Sequence, residues 1–534
     1  METFLFILGV IVILVGIANR IGLAWPIALV LGGMAIGYIP NAPTFTLPPD
    51  LVLVVFLPPL LYWESITAPS SEFLSGAWWI FQLAVGLVII TTLAVAAVVH
   101  ALVPALGWPA SFVLGAAVSS TDEVAFAPIV ERLRIPRHVV ATIEGESLVN
   151  DATSLVLYAI AVAAVVSGTF SWSHALGSLA LGIIGGIGVG IVIGAITMAA
   201  LYFIRDDSLQ PIIAVMAAFG SYLLANHIGA SGVLAVVTTG LIAARYSPLV
   251  FKPLARIRGI AFLSTFSFLA NATIFVLVGM QFHPIIQSLS QFSVASLIWY
   301  GVAVSLTVIF VRFLWTFGQG LLPFTNEPEH EEGKADWSHV AVLAWSGMRG
   351  GVSLAAALAI PFETASGPFP GRNLIIYLTF CVLLATLVGQ AGTLPLLIRW
   401  LHVTDDGTDA REERLALART ARAALKQIEK LRRSNEVPTL MLDALRKRFG
   451  TRWREFAETD SQAAEVARNT ALYRKLESDL LKAQRTELVE LRNSGKIDNT
   501  VMRRIQTLLD LETAELELLG STGHNDADVA AAPD

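Results

Sequence analysis

Long apolar segments dominate the first four hundred residues of this chain. Of its 534 residues, 55% are hydrophobic and 15% charged, and the mean hydropathy is +0.66. Several apolar runs exceed the roughly 20 residues that an α-helix needs to cross a bilayer. Inside lipid each segment must satisfy its own backbone hydrogen bonds, which a helix does. The sequence therefore predicts an all-α polytopic membrane protein.

Hydropathy divides this region into about thirteen transmembrane helices. The predicted segments are 4–20, 24–39, 50–67, 77–104, 110–131, 138–167, 174–203, 209–226, 230–246, 259–281, 291–322, 337–361 and 372–400. The run from Ser178 to Phe203 is rich in Gly and Ala, which predicts close packing against neighbouring helices.

The remaining residues differ sharply in composition. Only 14 of the 36 Lys and Arg lie in residues 1–400, and the other 22 lie in the polar tail. Mixed charges with Leu and Ala at helical spacing predict helices in this tail, whereas the small polar residues at its end predict disorder. We therefore expect a transmembrane domain at 1–401, a helical cytoplasmic tail at 402–519 and a disordered C-terminus at 520–534.

The distribution of basic residues predicts the orientation. Short cytoplasmic loops of membrane proteins carry an excess of Lys and Arg. Here one set of alternate loops holds Arg20, Arg132, Arg134, Arg137, Arg205, Arg245, Lys252, Arg256, Arg258 and Lys334. The opposite set holds only Arg372. The N-terminus is therefore expected outside the cell and the tail in the cytoplasm.

Several function classes lack their required residues. The single cysteine, Cys381, excludes a disulfide framework, a c-type haem and a cysteine-based zinc cluster. No P-loop or His-Glu-x-x-His motif occurs, and the residues around Ser147 lack the second glycine of a nucleophile elbow. Charge rings or carbonyl filters typical of channels are not evident. We expect neither an enzyme nor an ATP-driven pump.

The sixth predicted helix carries carboxylates where a membrane helix normally has none. Residues 145–151 read Gly-Glu-Ser-Leu-Val-Asn-Asp inside an apolar segment. An ionised side chain at the bilayer centre costs roughly 3 kcal/mol even on a lenient insertion scale, so it is normally paired, hydrated and functional. We therefore interpret Asp151 as a carrier of cations and protons.

Helical spacing assigns different faces to the polar residues of this segment. Ser147 lies one turn before Asp151 on the same face, whereas Glu146 and Asn150 share an adjoining face. The first face can offer carboxylate and hydroxyl oxygens to a cation, while Glu146 contacts a partner. Arg349 is the best candidate for this partner, because a planar guanidinium suits bidentate pairing with a carboxylate.

Three other predicted helices contain polar or helix-breaking residues. The third contains Pro58-Pro59 and Glu64, the fifth reads Ser-Ser-Thr-Asp-Glu at 119–123, and the twelfth reads Ser-Gly-Met-Arg-Gly-Gly at 346–351. Such segments are where a membrane helix can break around a cavity. In transporters, unwound backbone at mid-membrane recurrently forms ion sites.

Together these motifs resemble the bacterial sodium/proton antiporters of the NhaP type, which are related to the animal sodium/proton exchangers. The resemblance covers about residues 1–400 and includes the order of the motifs on the fifth, sixth and twelfth helices. It implies thirteen helices built from two inverted six-helix repeats, usually dimeric, with two broken helices that cross at mid-membrane.

The resemblance also implies roles for individual residues. Asp151 resembles the ion-binding and proton-carrying aspartate, and the Na⁺ ligands implied are Asp151, Ser147, Thr121 and Glu64. Asp122 resembles the residue that holds the crossed helices together. Glu146 and Arg349 resemble the structural ion pair of the family. Asn150 resembles the residue that marks its electroneutral branch.

The expected function is electroneutral exchange of Na⁺ or Li⁺ for H⁺ across the bacterial inner membrane, for pH and sodium homeostasis. No cofactor and no nucleic acid partner are expected, and the tail is a candidate for regulatory contacts. A K⁺/H⁺ antiporter and a non-transporting cation or pH sensor remain alternatives. Glu123 departs from the family pattern, and the sequence names no partner for Arg312.

Overall fold

The computed structural model describes most of the chain. The described residues are 2–40, 52–68, 77–124, 126–133, 135–168, 172–204, 206, 208–321, 337–364, 367–403, 407–434, 437–457, 463–494 and 496–529. Of the basic loop residues used to predict the orientation, Arg134, Arg205 and Lys334 lie outside these ranges.

The described residues are mostly helical, and they divide into two compact units, Met1–Thr404 and Asp405–Asp534. The helices of the first unit are α1 (Glu2–Ile21), α2 (Trp25–Gly37), α3 (Leu57–Thr67), α4 (Ala77–Phe81), α5 (Val88–Leu102), α6 (Gly107–Ser119), α7 (Ala127–Leu133), α8 (Arg137–Ser167), α9 (Trp172–Phe203), α10 (Leu209–His227), α11 (Gly232–Val250), α12 (Pro253–Ser288), α13 (Val294–Gly320), α14 (Trp337–Trp345), α15 (Gly351–Leu358), α16 (Arg372–Leu384) and α17 (Gly392–Trp400).

Short irregular helical segments join some of these helices. π-helical turns at Val52–Phe56, Gln82–Leu87 and Ala385–Ala391 lead into α3, α5 and α17. One small departure from the predicted all-α class is an antiparallel ribbon in which β1 (Glu363–Thr364) pairs with β2 (Gly367–Pro368).

The helices of the first unit fit a membrane. Among the described residues, seven helices are long and apolar enough to cross a bilayer, and four more are apolar but shorter. Every one of the thirteen predicted segments coincides with helix in at least part of its length. This unit is therefore that of a multi-pass membrane protein, while the count of thirteen spans stays a prediction.

Two of the three segments with breaking residues are interrupted in the structure. The fifth predicted helix divides into α6 and α7, and the twelfth divides into α14 and α15. The third is not interrupted at its proline pair, because Pro58 and Pro59 lie in the first turn of α3. The π-helical turn at Val52–Phe56 lies directly before α3, so the helix changes its hydrogen-bonding pattern at the prolines and does not break.

Small residues let helices approach closely, as the Gly- and Ala-rich run predicts. Along α9, a Cβ atom on Gly190 would lie 2.5 Å from the Cβ of Thr238 and 2.7 Å from the carbonyl oxygen of Ala235, both on α11. Gly33 on α2 and Gly279 on α12 approach each other's backbone in the same way. These contacts depend on van der Waals packing, which drives helix association in lipid.

The second unit consists of four helices. They are α18 (Thr408–Ser434), α19 (Thr439–Ala457), α20 (Ala463–Asn493) and α21 (Asn499–Val529). A small apolar core of Leu481, Leu488 and Leu509 lies between α20 and α21. The last helix continues through Gly520 to Val529, where the sequence predicts disorder, and residues 530–534 lie outside the described part.

The close packing of α9 on α11 can be tested with two neighbouring glycines. We expect Gly190→Ala to destabilise the fold by about 1–3 kcal/mol, because the added methyl group overpacks against α11. Gly188→Ala is the matched control, since a Cβ at Gly188 meets no atom within 4 Å. Thermal unfolding of the purified protein in detergent measures both, and equal unfolding temperatures for the two variants would contradict the packing described here.

Candidate ion site at the crossing of two broken helices

The two interrupted segments lie against each other. The backbone N–H of Asp122 donates to the carbonyl of Met348 at 2.9 Å, and the hydroxyl of Ser353 donates to the carbonyl of Ser120 at 3.3 Å. The non-helical residues 120–122 therefore find partners for their backbone in the break before α15 and in the first turn of α15. These two interrupted segments include the residues for which the resemblance implies crossed, broken helices, and their crossing at mid-membrane stays a prediction.

Asp122 fastens the beginning of α15. Its carboxylate accepts hydrogen bonds from the backbone N–H of Gly351 at 3.0 Å and of Val124 at 2.7 Å. A negative charge at a helix N-terminus is stabilised by unpaired N–H groups and by the helix dipole. The approach requires a glycine, because a Cβ atom on Gly350 would overlap the carboxylate of Asp122.

Glu146 forms a buried, bidentate ion pair with Arg312. The two guanidinium nitrogens lie 2.5 and 2.9 Å from the two carboxylate oxygens, and both side chains are at most 2% exposed. The same guanidinium donates to the carbonyl of Leu343 at 2.9 and 3.2 Å. That carbonyl is in the last turn of α14, where helix carbonyls lack partners. Gly347 permits this approach, since a Cβ there would overlap Arg312.

The predicted pairing of Glu146 with Arg349 is therefore wrong. Arg349 is 1% exposed, and among the described residues none accepts a hydrogen bond from its guanidinium. Its backbone N–H donates to the hydroxyl of Thr386 at 3.1 Å. The sequence could not decide between two intramembrane arginines, because the break before Gly351 sets the direction of Arg349, whereas Arg312 extends from the unbroken helix α13.

Thr121 and Asn150 belong to a polar network beside this ion pair. The amide of Asn150 donates to the hydroxyl of Thr121, which lies 3.2 Å from the carboxylate of Glu146. The hydroxyl of Ser147 donates to the backbone carbonyl of Thr121 at 3.0 Å. The side chain of Thr121 thus contacts Asn150 and Glu146, and its main chain contacts Ser147.

Asp151 lies one turn further along α8 and is 2% exposed. Its carboxylate accepts a hydrogen bond from the hydroxyl of Ser120, in the non-helical segment after α6. Within the described residues Asp151 forms no salt bridge. The sequence did not identify Ser120, because residues 119–121 all carry hydroxyl groups. Only the position at which α6 ends determines which of these hydroxyls points toward Asp151.

Two more carboxylates lie near Asp151. Glu64 on α3 and Glu123 after the break are close enough to each other and to Asp151 for electrostatic repulsion. No described residue donates a hydrogen bond to either side chain. Arg349 lies within electrostatic range of Asp151 and of Glu146. The local charge is therefore negative, which favours a bound cation or proton.

The site combines carboxylate, hydroxyl and carbonyl oxygens around a non-helical backbone. Hard oxygen ligands of this kind suit hard cations. Of the residues predicted from the sequence, the structure brings Asp151, Ser147, Thr121, Asn150, Asp122 and Glu146 together at the crossing of the two breaks. It adds Ser120 and Arg312 to this group, and Glu64 interacts with Asp151 electrostatically without a hydrogen bond between the two described side chains.

Replacing the two buried arginines separately tests the ion-pair assignment. We expect Arg312→Met to destabilise the protein by about 3–5 kcal/mol, because Glu146 is left as an uncompensated buried charge. Arg349→Met breaks no ion pair and is expected to destabilise it less. Adding Glu146→Gln to Arg312→Met should restore part of the loss. Thermal unfolding in detergent measures all three, and a greater loss from Arg349→Met would contradict the assignment.

Comparisons with known proteins identify the family of this chain. The transmembrane model of the sodium/hydrogen exchanger family matches residues 7–400. A protein of Mycobacterium bovis named as an uncharacterised Na⁺/H⁺ exchanger is 32% identical over 511 residues, which cover 94% of this chain and 93% of that protein. A sodium, potassium, lithium and rubidium/H⁺ antiporter of Bacillus pumilus is 34% identical over 415 residues, which cover 74% of this chain and 61% of that protein.

A solved structure shows the same fold. The sodium proton antiporter MjNhaP1 of Methanocaldococcus jannaschii matches with a TM-score of 0.57 at 21% identity, covering 75% of this chain and 99% of that one. The family model and the relatives at 30% identity or more, not this fold likeness, identify the family. The chain therefore belongs to the sodium/hydrogen exchanger family and is a multi-pass membrane antiporter.

Proposed function

We propose that this protein exchanges Na⁺ or Li⁺ for H⁺, with Asp151 binding the cation and the proton in turn. The observation that carries the proposal is the setting of Asp151, a fully buried carboxylate with a hydroxyl donor and no salt bridge among the described residues. A buried carboxylate without a fixed counter-ion is stabilised when a mobile cation or a proton neutralises it.

Coupling of the two fluxes follows from the cost of a bare charge. An uncompensated carboxylate is expensive to move through the low-dielectric interior of a membrane. If Asp151 must hold either a cation or a proton before the protein changes the side to which it opens, each turnover exchanges one for the other. Glu146 does not take part in this exchange, because Arg312 already neutralises it.

The proposed cation ligands come from two of the elements that meet at the crossing. The hydroxyl of Ser120 donates to the carboxylate of Asp151, and the hydroxyl of Ser147, one turn before Asp151 on α8, donates to the backbone carbonyl of Thr121. These oxygens can turn toward a cation, with Glu64 completing the shell after a movement of α3. Thr121 then contributes through its main chain, while its side chain holds Asn150.

The resemblance supports the remaining features of the proposal. Asn150 stands at the position that marks the electroneutral branch, which exchanges one cation for one proton. Two inverted six-helix repeats, thirteen spans and a homodimer are part of the same proposal. The distribution of loop Lys and Arg supports an N-terminus outside and a tail in the cytoplasm of a bacterial cell. We propose that the exchange serves pH and sodium homeostasis there.

Exchange of K⁺ for H⁺ is a second candidate. The relative from Bacillus pumilus, 34% identical, is named for sodium, potassium, lithium and rubidium. A site made of flexible hydroxyls and carbonyls can adjust to ions of different radius. The cation series in the following experiment distinguishes the two candidates.

The central test compares wild type with Asp151→Asn in vesicles that hold an imposed pH gradient. We expect Na⁺ or Li⁺ to collapse the gradient in wild type, and Asp151→Asn to abolish this response because an amide cannot exchange a proton for a cation. A pH-sensitive dye follows the gradient as Na⁺, Li⁺, K⁺ and Rb⁺ are added in turn. Cation-dependent collapse by the Asn variant at the wild-type rate would refute Asp151 as the carrier.

Ser120 provides a finer test of the site. We expect Ser120→Ala to raise the cation concentration for half-maximal exchange about three- to tenfold, since one hydroxyl ligand contributes on the order of 1 kcal/mol. Ser119→Ala is the matched control, because the hydroxyl of Ser119 donates to the carbonyl of Ala116 within α6 at 2.8 Å. The same dye measurement gives both values, and an equal effect at the two positions would contradict the role of Ser120.

A further inference from the structure

The two halves of the tail carry opposite charge. Residues 408–457, which form α18 and α19, contain thirteen Lys and Arg and seven Asp and Glu, for a formal charge of +6. Residues 463–529, which form α20 and α21, contain nine Lys and Arg and twelve Asp and Glu, for a formal charge of −3. The positive half follows the membrane unit directly in the chain.

Part of this positive charge is arranged in a row along one face of α18. The row consists of Arg419, Arg422, Lys426, Lys430 and Arg433, at successive spacings of three, four, four and three residues. Residues at these spacings share one face of a helix. All five side chains are exposed, and the row extends over about 21 Å at 1.5 Å per residue.

The opposite face of the same helix packs into the tail. Ala421 and Ile428 on α18 are 6% and 7% exposed, and Leu442 on α19 is 2% exposed. Because this apolar face orients α18, the basic row points away from the core of its own half. Leu415 lies on the same side as the row, one turn before Arg419, and is 52% exposed.

None of the five row residues forms an ion pair with another described residue. Elsewhere in the tail ion pairs are common: Arg432 contacts Asp443 at 2.7 Å, and Arg485 contacts Asp510 at 2.7 Å. The row is therefore a set of cations without ion pairs, on the same helix as Arg432, which does form one. Glu429, beside Arg422 and Arg433, is the one carboxylate among residues 419–433.

We propose that the basic row of α18 binds the anionic headgroups of the bilayer in which the protein is embedded. Clusters of four to eight Lys and Arg on a helix close to a membrane segment are attracted to anionic lipid. α18 begins at Thr408, eight residues after α17 ends at Trp400, so only a short stretch of chain separates this helix from the last apolar helix of the membrane unit. The exposed side chain of Leu415 can insert between headgroups, as apolar residues of interfacial helices do.

The experiment measures the approach of the tail to lipid in the full-length protein. A donor fluorophore is attached at Ala423→Cys, an exposed position within the row, in a Cys381→Ser background. The protein is placed in nanodiscs of phosphatidylcholine alone or of phosphatidylcholine and phosphatidylglycerol at about 7:3. Energy transfer to a headgroup-labelled acceptor lipid reports the distance, and it requires no cation or proton flux. A negative result would therefore contradict lipid binding by the row without bearing on the proposed cation/proton exchange.

Two variants with equal changes in charge sharpen the measurement. The row variant replaces Arg419, Arg422, Lys426, Lys430 and Arg433 by Gln. The control variant replaces five exposed residues of the other half by Gln, namely Lys475, Arg492, Lys496, Arg503 and Arg504. We expect anionic lipid to increase energy transfer in wild type and in the control variant, and the row variant to lose that increase. High salt should reduce the increase, because exposed charges are screened.

Three outcomes would overturn the proposal. Transfer that is the same in both lipid mixtures shows a row that does not contact headgroups. Equal loss of the increase in the row and control variants shows an effect of net charge alone. Transfer that depends on the number of protein copies in a disc rather than on lipid charge assigns the row to an acidic surface of a second copy.

Discussion

The structure depends on how two interrupted helices satisfy their free ends. A helix end inside a membrane exposes backbone N–H or carbonyl groups that lipid cannot bond. Here the negative carboxylate of Asp122 meets the N–H groups at the start of α15, and the positive guanidinium of Arg312 meets a carbonyl at the end of α14. Each charge has the sign that the local helix end favours. Gly350 and Gly347 leave the space for these two contacts.

This arrangement separates two carboxylates that lie five positions apart on α8. Glu146 is held by two hydrogen bonds from Arg312, and its charge is cancelled within the protein. Asp151 receives a hydroxyl from Ser120 and shares its surroundings with Glu64 and Glu123. Removing a charge partner from Glu146 would leave a buried ion, whereas Asp151 already lacks one in the described structure. The carboxylate of Glu146 thus adds rigidity, whereas the carboxylate of Asp151 has no fixed counter-ion and is the one that the proposed exchange uses.

The positions of the membrane helices and of the candidate site could be predicted from the sequence, because the thickness of a bilayer fixes the length and composition of a helix that crosses it. Apolar runs located the helices, and the unusual carboxylates of α8 located the site. The partner of Glu146 could not be predicted, since Arg312 and Arg349 are both intramembrane arginines and only the backbone path at residues 346–350 separates them. Ser120 was missed for a related reason: its direction is set where α6 ends. The tail helices could be predicted from the spacing of charged and Leu residues. The basic row of α18 could not, because the structure is needed to show which face of that helix is buried and which is exposed.

The bridge made by Arg312 limits which parts of the molecule can move independently. One guanidinium joins α13, the end of α14 and the middle of α8, and α8 carries Asp151 on the same continuous helix. A displacement of α8 that kept Glu146 paired would have to take α13 with it, and one that also kept the hydrogen bonds of Arg312 to Leu343 would have to take α14 as well. If Asp151 moves in the proposed exchange, the smallest body that preserves all these contacts is therefore a group of three helices. Movement of α8 alone would break the contacts of Arg312.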